Sequence, residues 1–364
     1  MRIILAGGGT LGSVTPLLAI AETIQEKSSH TGFLWIGTKN GPERALVQSR
    51  GINFTALPVA KLRRYYSIQN ITDGAQMVLA LIKSLFFVAR FKPDCIIGAG
   101  SFSEVPVIYA AKIISPKTRI IIHQQDIQKG LANRLCEKFA HKITVATQKS
   151  LVDFSREKTV YTGNPYRSEI MNGTVRDGYS LFNLEKNVPT ALILGGSAGA
   201  EELNNLVAAA LPSLAKFLQI IHLTGKNKTL KKTIRHPRYH AYPFITTNLS
   251  HAYAVSDIVV SRAGFSTITE LSVLAKPSII IPIPASHQEA NADWLKQNNA
   301  AVVLSQKSLT STVFVKQIQS LIENKEKLFT LSSAISALLP KDACERVVQE
   351  IFGMFEKGLE IRSW

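Results

Sequence analysis

Three cysteines in 364 residues (Cys95, Cys136 and Cys344), with no CxxC and no Cys/His pair at ligand spacing, exclude a disulfide-stapled scaffold and a structural zinc site. They fit a reduced, cytoplasmic compartment. Carboxylates are scarce as well. There is no DxD pair, and Pro237 interrupts the His236–His240 spacing, which removes a helical i,i+4 ligand pair, so no resident metal or cofactor is expected. The 26 Asp and Glu face 42 Lys and Arg, a net charge of +16. Most of that excess lies early: residues 1–165 hold 21 basic and 10 acidic residues, the remainder 21 and 16. Such a surface suits an anionic membrane, a phosphorylated substrate or nucleic acid. RNP, KH and zinc-finger patterns are all missing, as is a basic stripe interleaved with aromatics, so nucleic acid is not an expected partner. Low-complexity tracts are also missing. The most apolar stretch, 76–91, carries Lys83 and Arg90 and reads as too short to cross a bilayer. The opening MRIILAGGGT has one basic residue before its glycines, which reads as a buried first strand and not a signal peptide.

What is present is a chain with 46% hydrophobic residues, long enough for two cores. Short apolar runs alternate with amphipathic stretches, the pattern of parallel βαβ units. Strands are expected at 2–6, 32–36, 95–97, 119–123 and 143–145, and helices at 16–27, 42–50, 75–91, 105–114 and 130–139. The design then restarts, with strands at 190–194, 219–223, 258–260, 278–281 and 301–304. Glycine turns after the first strand of each half, at Gly8 and Gly195, make the repeat explicit. The fold class is therefore α/β, with two doubly wound domains, 1–165 and 166–340, and a ligand cleft outside the carboxyl ends of the strands. Residues 341–364 are expected to add a terminal helix packing across the domain junction.

The first glycine turn, Gly7-Gly8-Gly9-Thr10-Leu11-Gly12-Ser13, contains GxGxxG, which lets backbone N–H groups approach an anion at a helix N-terminus. A nicotinamide dinucleotide site also needs an acid at the end of the second strand. That strand ends Gly37-Thr38-Lys39-Asn40, which argues against an oxidoreductase. A third glycine turn, Gly98-Ala99-Gly100-Ser101, follows another strand of the same half. In the second half, a strand ending at Val260 leads through small residues to Glu270, one helical turn on. A carboxylate there can accept from both hydroxyls of a ribose, with Arg262 and the helix N-terminus offsetting phosphate charge. On periodicity alone, a solvated Glu270 and a surface Arg262 remain equally open.

The motifs, in order, are GGTxG at 8–12, WxGTxxGxE at 35–43, HxQ followed by GLxNR over 123–134, GNPxR at 163–167, and GGSxGAxxLN at 195–204. TGK at 224–226, Phe244-Ile245, AYxxSDxVxSRAGxxTxxE at 252–270 and HQxxNA at 287–292 complete the series. Together they resemble the MurG-type transferases, which add N-acetylglucosamine from its UDP donor to the lipid-linked muramoyl-pentapeptide of peptidoglycan synthesis. The resemblance implies the GT-B architecture, two Rossmann-like domains facing across a cleft, and an inverting hexosyltransferase without a metal. By matching position, Ile245 would meet the uracil and Glu270 the ribose. Arg262, Phe265, Ser266, Thr267, Ile268 and Thr269 would surround the diphosphate, joined by Ser197. Gln288 would contact the sugar, with Asn291 close by. From the first domain, Thr10, Leu11, Gly12 and Arg167 would close over the donor, and Asp126 would reach the acceptor or sugar.

Departures from the family pattern fall where catalysis is expected. Ser13 stands for the usual histidine, Leu11 for a glycine, and Glu104 lies in the third turn. The usual HEQN reads His123-Gln124-Gln125-Asp126. A serine hydroxyl cannot replace imidazole as a base near pH 7. The carboxylates Asp126 and then Glu104 become the candidate bases, with helix capping as the alternative for both. His123 is expected to satisfy a backbone group. The apolar 76–91 stretch, preceded by the basic 61–66 segment, suggests a shallow patch on an anionic membrane surface, at the cytoplasmic face of the cell membrane. The partners implied are UDP-N-acetylglucosamine and the undecaprenyl-diphosphate-linked muramoyl-pentapeptide. Another UDP-sugar transferase with a different lipid or glycan acceptor, or a silent UDP-sugar-binding paralogue, remain as alternatives.

Overall fold

The computed structural model describes residues 1–59, 69–196, 200–225, 235–245 and 248–356, and, within these, side chains of all but 69–73, 200 and 356. The chain divides into two compact units. One runs from Met1 to Arg167 and resumes at Pro340; the other is Ser168–Leu339.

The first unit is built on β1 (Arg2–Ala6), α1 (Leu11–Lys27), β2 (Gly32–Thr38), α2 (Glu43–Gln48), β3 (Asn53–Leu57) and α3 (Gln69–Phe91). It continues with β4 (Cys95–Gly98), α4 (Glu104–Ile114), β5 (Arg119–Gln124), α5 (Leu131–Cys136), β6 (Lys142–Val145) and β7 (Thr159–Tyr161). The strands form one parallel sheet in the order β3-β2-β1-β4-β5-β6-β7. Because the order reverses between β1 and β4, their carboxyl ends frame the crevice where such sheets bind ligands. Alternation along β1 sends Ile3 and Leu5 to one face and Ile4 to the other. Both faces are covered, as parallel sheets require.

The second unit comprises α6 (Val175–Leu181), β8 (Thr190–Leu194), α7 (Ala200–Leu214), β9 (Gln219–Leu223), β10 (Tyr239–Tyr242), α8 (Leu249–Val255) and β11 (Ile258–Ser261). Then come α9 (Phe265–Val273), β12 (Ser278–Ile280), α10 (Gln288–Gln297), β13 (Val302–Val303), α11 (Ser311–Glu323) and α12 (Lys325–Ser336). Its sheet, again parallel, has the order β10-β9-β8-β11-β12-β13, with the reversal between β8 and β11.

Three strands were not foreseen: β3, β7 and β10. Two are the edges of the first sheet and one an edge of the second, where half-buried polar residues break the apolar run that marks an interior strand. The first unit extends two residues past the expected boundary, to Arg167, and the terminal helix returns to it from the second unit. α13 (Ala343–Glu356) belongs to the first unit, where Val347, Val348, Ile351 and Met354 join Leu17, Ile20 and Ile24 of α1 in one core. The return of the chain is fixed at Gly163, whose φ of +81° and close backing by Pro340 leave no room for a side chain. Tyr166 Oη donates to the Lys341 carbonyl at 3.0 Å, and Cys344 Sγ to the Tyr166 carbonyl at 3.3 Å.

Candidate active site

In the first unit, β1 runs into the glycine turn and α1. Trp35 Nε1 donates to the Gly7 carbonyl at 2.8 Å. Glu43, fully buried, lies under the turn and accepts from the Thr38 amide (2.6 Å), the Thr38 hydroxyl (2.7 Å) and the Gly9 amide (3.3 Å). A Cβ on Gly8 would run into its carboxylate. The WxGTxxGxE motif is thus the foundation of this turn. The acid missing from the end of β2 enters at position 43, beneath the backbone and not facing a ribose. Thr10, Leu11 and Gly12 are half-buried at the start of α1, with Thr10 as an N-cap that makes no side-chain cap bond. The Ser13 hydroxyl donates to the Gly8 (3.2 Å) and Thr10 (3.4 Å) carbonyls and is 8% exposed. It braces the turn and is not available as a base.

The third turn is tied to the first across the switch point, because Ser101 Oγ donates to the Gly8 carbonyl at 3.0 Å. Glu104 opens α4 and is fully buried. Its Oε2 accepts from the Gly100 amide at 2.9 Å, and Gly98 has no room for a Cβ because that carboxyl fills the space. Burial pushes its pKa up to about 8, against backbone donors from Gly100, Ser101 and Ala99. Of the two sequence readings of Glu104, its full burial and the Gly100 bond favour the cap over the base. A buried carboxyl, protonated at pH 7, supports the turn as Glu43 supports the other.

Beyond β5, the loop carrying Asp126 is organised by one amide. Gln124 Nε2 donates to the carbonyls of Asp126 (2.7 Å) and Gln128 (3.0 Å), while its Oε1 accepts from Gly130 N (3.2 Å) and Asn133 Nδ2 (2.7 Å). A glutamate at 124 could not make the two donations. Gln125 Nε2 reaches the Ala99 carbonyl at 3.2 Å, linking this loop to the third turn. Asp126 is half-buried at the carboxyl edge of the sheet. His123 bonds side chains and not the backbone as expected: Nδ1 meets Thr144 Oγ1 and Nε2 meets Asn164 Oδ1, both at 2.8 Å. Since an amide oxygen only accepts, the proton sits on Nε2. Burial lowers this ring to about 4, so it stays neutral. Arg167 is half-buried at the end of the unit.

In the second unit, the sequence from β11 builds a helix N-terminus at the switch point. Gly264 is the N-cap of α9 and makes no side-chain cap bond. Phe265 is buried in a stack with Trp294 (centroids 5.9 Å, 24°), Ile268 is buried, and Thr269 Oγ1 donates to the Phe265 carbonyl at 2.9 Å. Of the expected diphosphate cradle, Ser266 and Thr267 are half-buried. Arg262 is not the surface cation of the alternative reading: it is 5% exposed, and its Nη1 donates to the Ile281 carbonyl (3.1 Å) and Gln306 Oε1 (2.6 Å), which ties it to the turn. Burial lowers its pKa.

Glu270 is half-buried, and its Oε2 accepts from the Tyr253 hydroxyl at 2.7 Å. Tyr253 is fully buried, and its pKa is driven well up by burial and by the Glu270 charge, so it remains a donor. Nothing in the local sequence signals this pairing, which joins α8 to α9. Asn291 is fully buried, and its Nδ2 holds the Ala263 carbonyl at 3.0 Å, shaping the turn. Gln288 starts α10 half-buried, with Oε1 accepting from the Ile283 amide at 3.1 Å. Ile245 is half-buried beyond β10, next to the exposed Phe244. Ser197 lies outside the described residues. No group of three or more His, Cys, Asp or Glu suited to a metal occurs among the described residues.

α3 is longer than expected, and its 74–91 stretch is long and apolar enough to cross a membrane by length and composition alone. The reading that it is too short is thus corrected. Ala80, Ser84 and Val88 are nevertheless seated in the core of the first unit. The opposite side exposes Val78, Leu79, Ile82 and Phe86, the last at 61%. The basic 61–66 segment lies outside the described residues.

The patterns of the glycosyltransferase family 28 N-terminal and C-terminal domains match residues 3–145 and 190–347. The chain belongs to this family. Among its relatives is the UDP-N-acetylglucosamine–N-acetylmuramyl-(pentapeptide) pyrophosphoryl-undecaprenol N-acetylglucosamine transferase of Lachnoclostridium phytofermentans. That enzyme is 34% identical over 351 residues, covering 95% of this chain and 97% of the relative. The enzyme of the same name from Bacillus subtilis (strain 168) is 33% identical over 359 residues, covering 95% and 98%. The crystal structure of Acinetobacter baumannii MurG superposes with a TM-score of 0.72 at 23% identity, covering 97% of this chain and 99% of that one. The fold is accordingly GT-B-like and the chain is a MurG-type glycosyltransferase.

Proposed function

We propose that this chain moves N-acetylglucosamine from UDP-N-acetylglucosamine to the muramoyl-pentapeptide of undecaprenyl-diphosphate-linked lipid, with inversion at the anomeric carbon and without a metal. The observation that carries the reading is the Glu270 carboxylate, oriented by Tyr253 one turn into a helix whose uncapped N-terminus follows the switch-point strand. Ribose hydroxyls donate to Glu270, while the first amides of α9 and the hydroxyls of Ser266 and Thr267 donate to the diphosphate. Gln288 addresses the sugar hydroxyls and the Ile245 backbone the uracil. The acceptor hydroxyl oxygen attacks the anomeric carbon, the bond to the diphosphate oxygen breaks, and UDP leaves with the electron pair. Asp126 takes the hydroxyl proton. Backbone donors at helix N-termini stabilise the leaving group, which is why no metal is invoked.

The exposed apolar stripe of α3, on the more basic unit, supports peripheral attachment to the cytoplasmic face of the membrane, where a lipid-linked acceptor resides. One observation favours a second reading, a silent UDP-sugar-binding paralogue: Ser13 stands where the family has histidine and its hydroxyl is spent on backbone carbonyls, and of the two carboxylate candidates Glu104 is fully buried, which leaves the reading of a base to Asp126. Incubation with UDP-N-acetylglucosamine and a short-chain acceptor analogue tests the reading. Disaccharide product supports it; donor binding without product on any lipid acceptor supports the paralogue.

A further inference from the structure

A basic cavity opens on the rim of the first sheet opposite the glycine turns. Arg119 opens β5, Lys142 opens β6, and Lys158 immediately precedes β7, so all three stand at the amino ends of parallel strands. Lys112 of α4, Lys138 and His141 join them around a cavity of about 820 Å³ that α13 borders through Glu350 and Gly353. Among the described residues around it the single carboxylate is Glu350, which pairs with Lys142 at 2.8 Å. Lys138 lies over the rings of Tyr109 and Phe139. Among the described residues, Lys112, Arg119 and Lys158 form no ion pair, although each is half-buried.

The three cations are close enough to act on one another and on His141. Burial first, then Lys158 and Arg119, lower the Lys112 ammonium. Burial, then Lys112, Arg119 and Lys158, hold the His141 ring at about 4. His141 Nδ1 accepts from the Ile120 amide at 3.0 Å, so the neutral ring carries its proton on Nε2. Like charges gathered in a partly desolvated cavity repel at a cost to the folded state that a bound anion offsets. A guanidinium fork, ammonium groups and a neutral ring donor together match an oxyanion with several acceptor oxygens.

We propose that this rim cavity is a second anion site that takes a phosphate group, supplied by a soluble phosphate compound or by a lipid headgroup. It lies at the other end of the strands from the transfer site and does not depend on the donor reading. The test follows the His141 ring by NMR in the full chain. Two probes are titrated: inorganic pyrophosphate, and monomeric dihexanoyl phosphatidylglycerol with its phosphatidylcholine counterpart as control. Anion binding is expected to raise the His141 pKa by about 1 or more, because it neutralises the surrounding cations. Lys112→Gln with Lys158→Gln should abolish the rise, while Lys316→Gln on α11 should leave it. A rise with pyrophosphate assigns a soluble ligand, and a rise with phosphatidylglycerol alone assigns a headgroup. No rise with either probe, or a rise that survives the double substitution, overturns the site. An unchanged amide spectrum of the double variant shows that its fold is intact.

Discussion

The Tyr253 hydroxyl donates to Glu270 Oε2 at 2.7 Å, from a phenol with no exposure to a carboxylate at the start of a helix. The bond fixes the carboxylate without neutralising it, because the tyrosine pKa is driven upward. If the ribose reads this group, Glu270→Ala weakens UDP-sugar binding more than tenfold, about 1.4 kcal/mol or more. Tyr253→Phe keeps the charge and loses only the orienting bond, for a cost of about 0.5–1.5 kcal/mol. Titration calorimetry with UDP checks both, and unchanged affinity in Glu270→Ala would remove the residue from the donor site.

Asp126→Asn leaves the Gln124 bond, which uses the backbone carbonyl, and removes the proton acceptor. Turnover is expected to fall by about 10²-fold or more, with UDP affinity unchanged. Gln124→Glu should also lower turnover, because the new carboxylate faces two carbonyls. Wild-type turnover in Asp126→Asn excludes it as the base.

Glu104 gives a pH dependence of stability whose sign follows from its raised pKa. Protonated in the fold up to about 8 and ionising from 4.5 when unfolded, it stabilises fully below about 4.5. That contribution is lost as pH climbs towards 8. Glu104→Gln cannot ionise, so its melting temperature should exceed that of the wild type at pH 8 by more than at pH 5. Turnover should persist, because the group only supports the turn. Loss of turnover with an intact fold would restore Glu104 to the chemistry.

Phe86→Glu with Ile82→Glu should reduce flotation with anionic vesicles while leaving the melting temperature near wild type, since both side chains are exposed. Equal flotation removes α3 as the attachment face.

Chelation with EDTA should leave transfer unchanged. A loss restored by a divalent cation would show that the helix N-termini do not suffice for the leaving group.

The sequence carried the alternation of strands and helices because most interior parallel strands are short apolar runs: 191–194 lies in β8 and 258–260 in β11. Edge strands such as β10, with Tyr239, His240 and Tyr242, carry no such run. Motif order identified the family. It could not separate residues that face a ligand from those that build the turn. Arg262 and Asn291 sit in the motif, yet each gives a donor to a backbone carbonyl, and the fully buried Glu43 and Glu104 support glycine turns. These are tertiary contacts between segments far apart in the chain, and no local spacing encodes them. The helix at 343–356 was legible as amphipathic, but its partner face on α1 was not.

A crystal structure of the chain with UDP-N-acetylglucosamine bears most directly on the donor site. The ribose hydroxyls should lie within hydrogen-bonding distance of Glu270, with the diphosphate at the first turn of α9 and the sugar beside Gln288. A nucleotide bound elsewhere, or contacting α9 without touching Glu270, would contradict it.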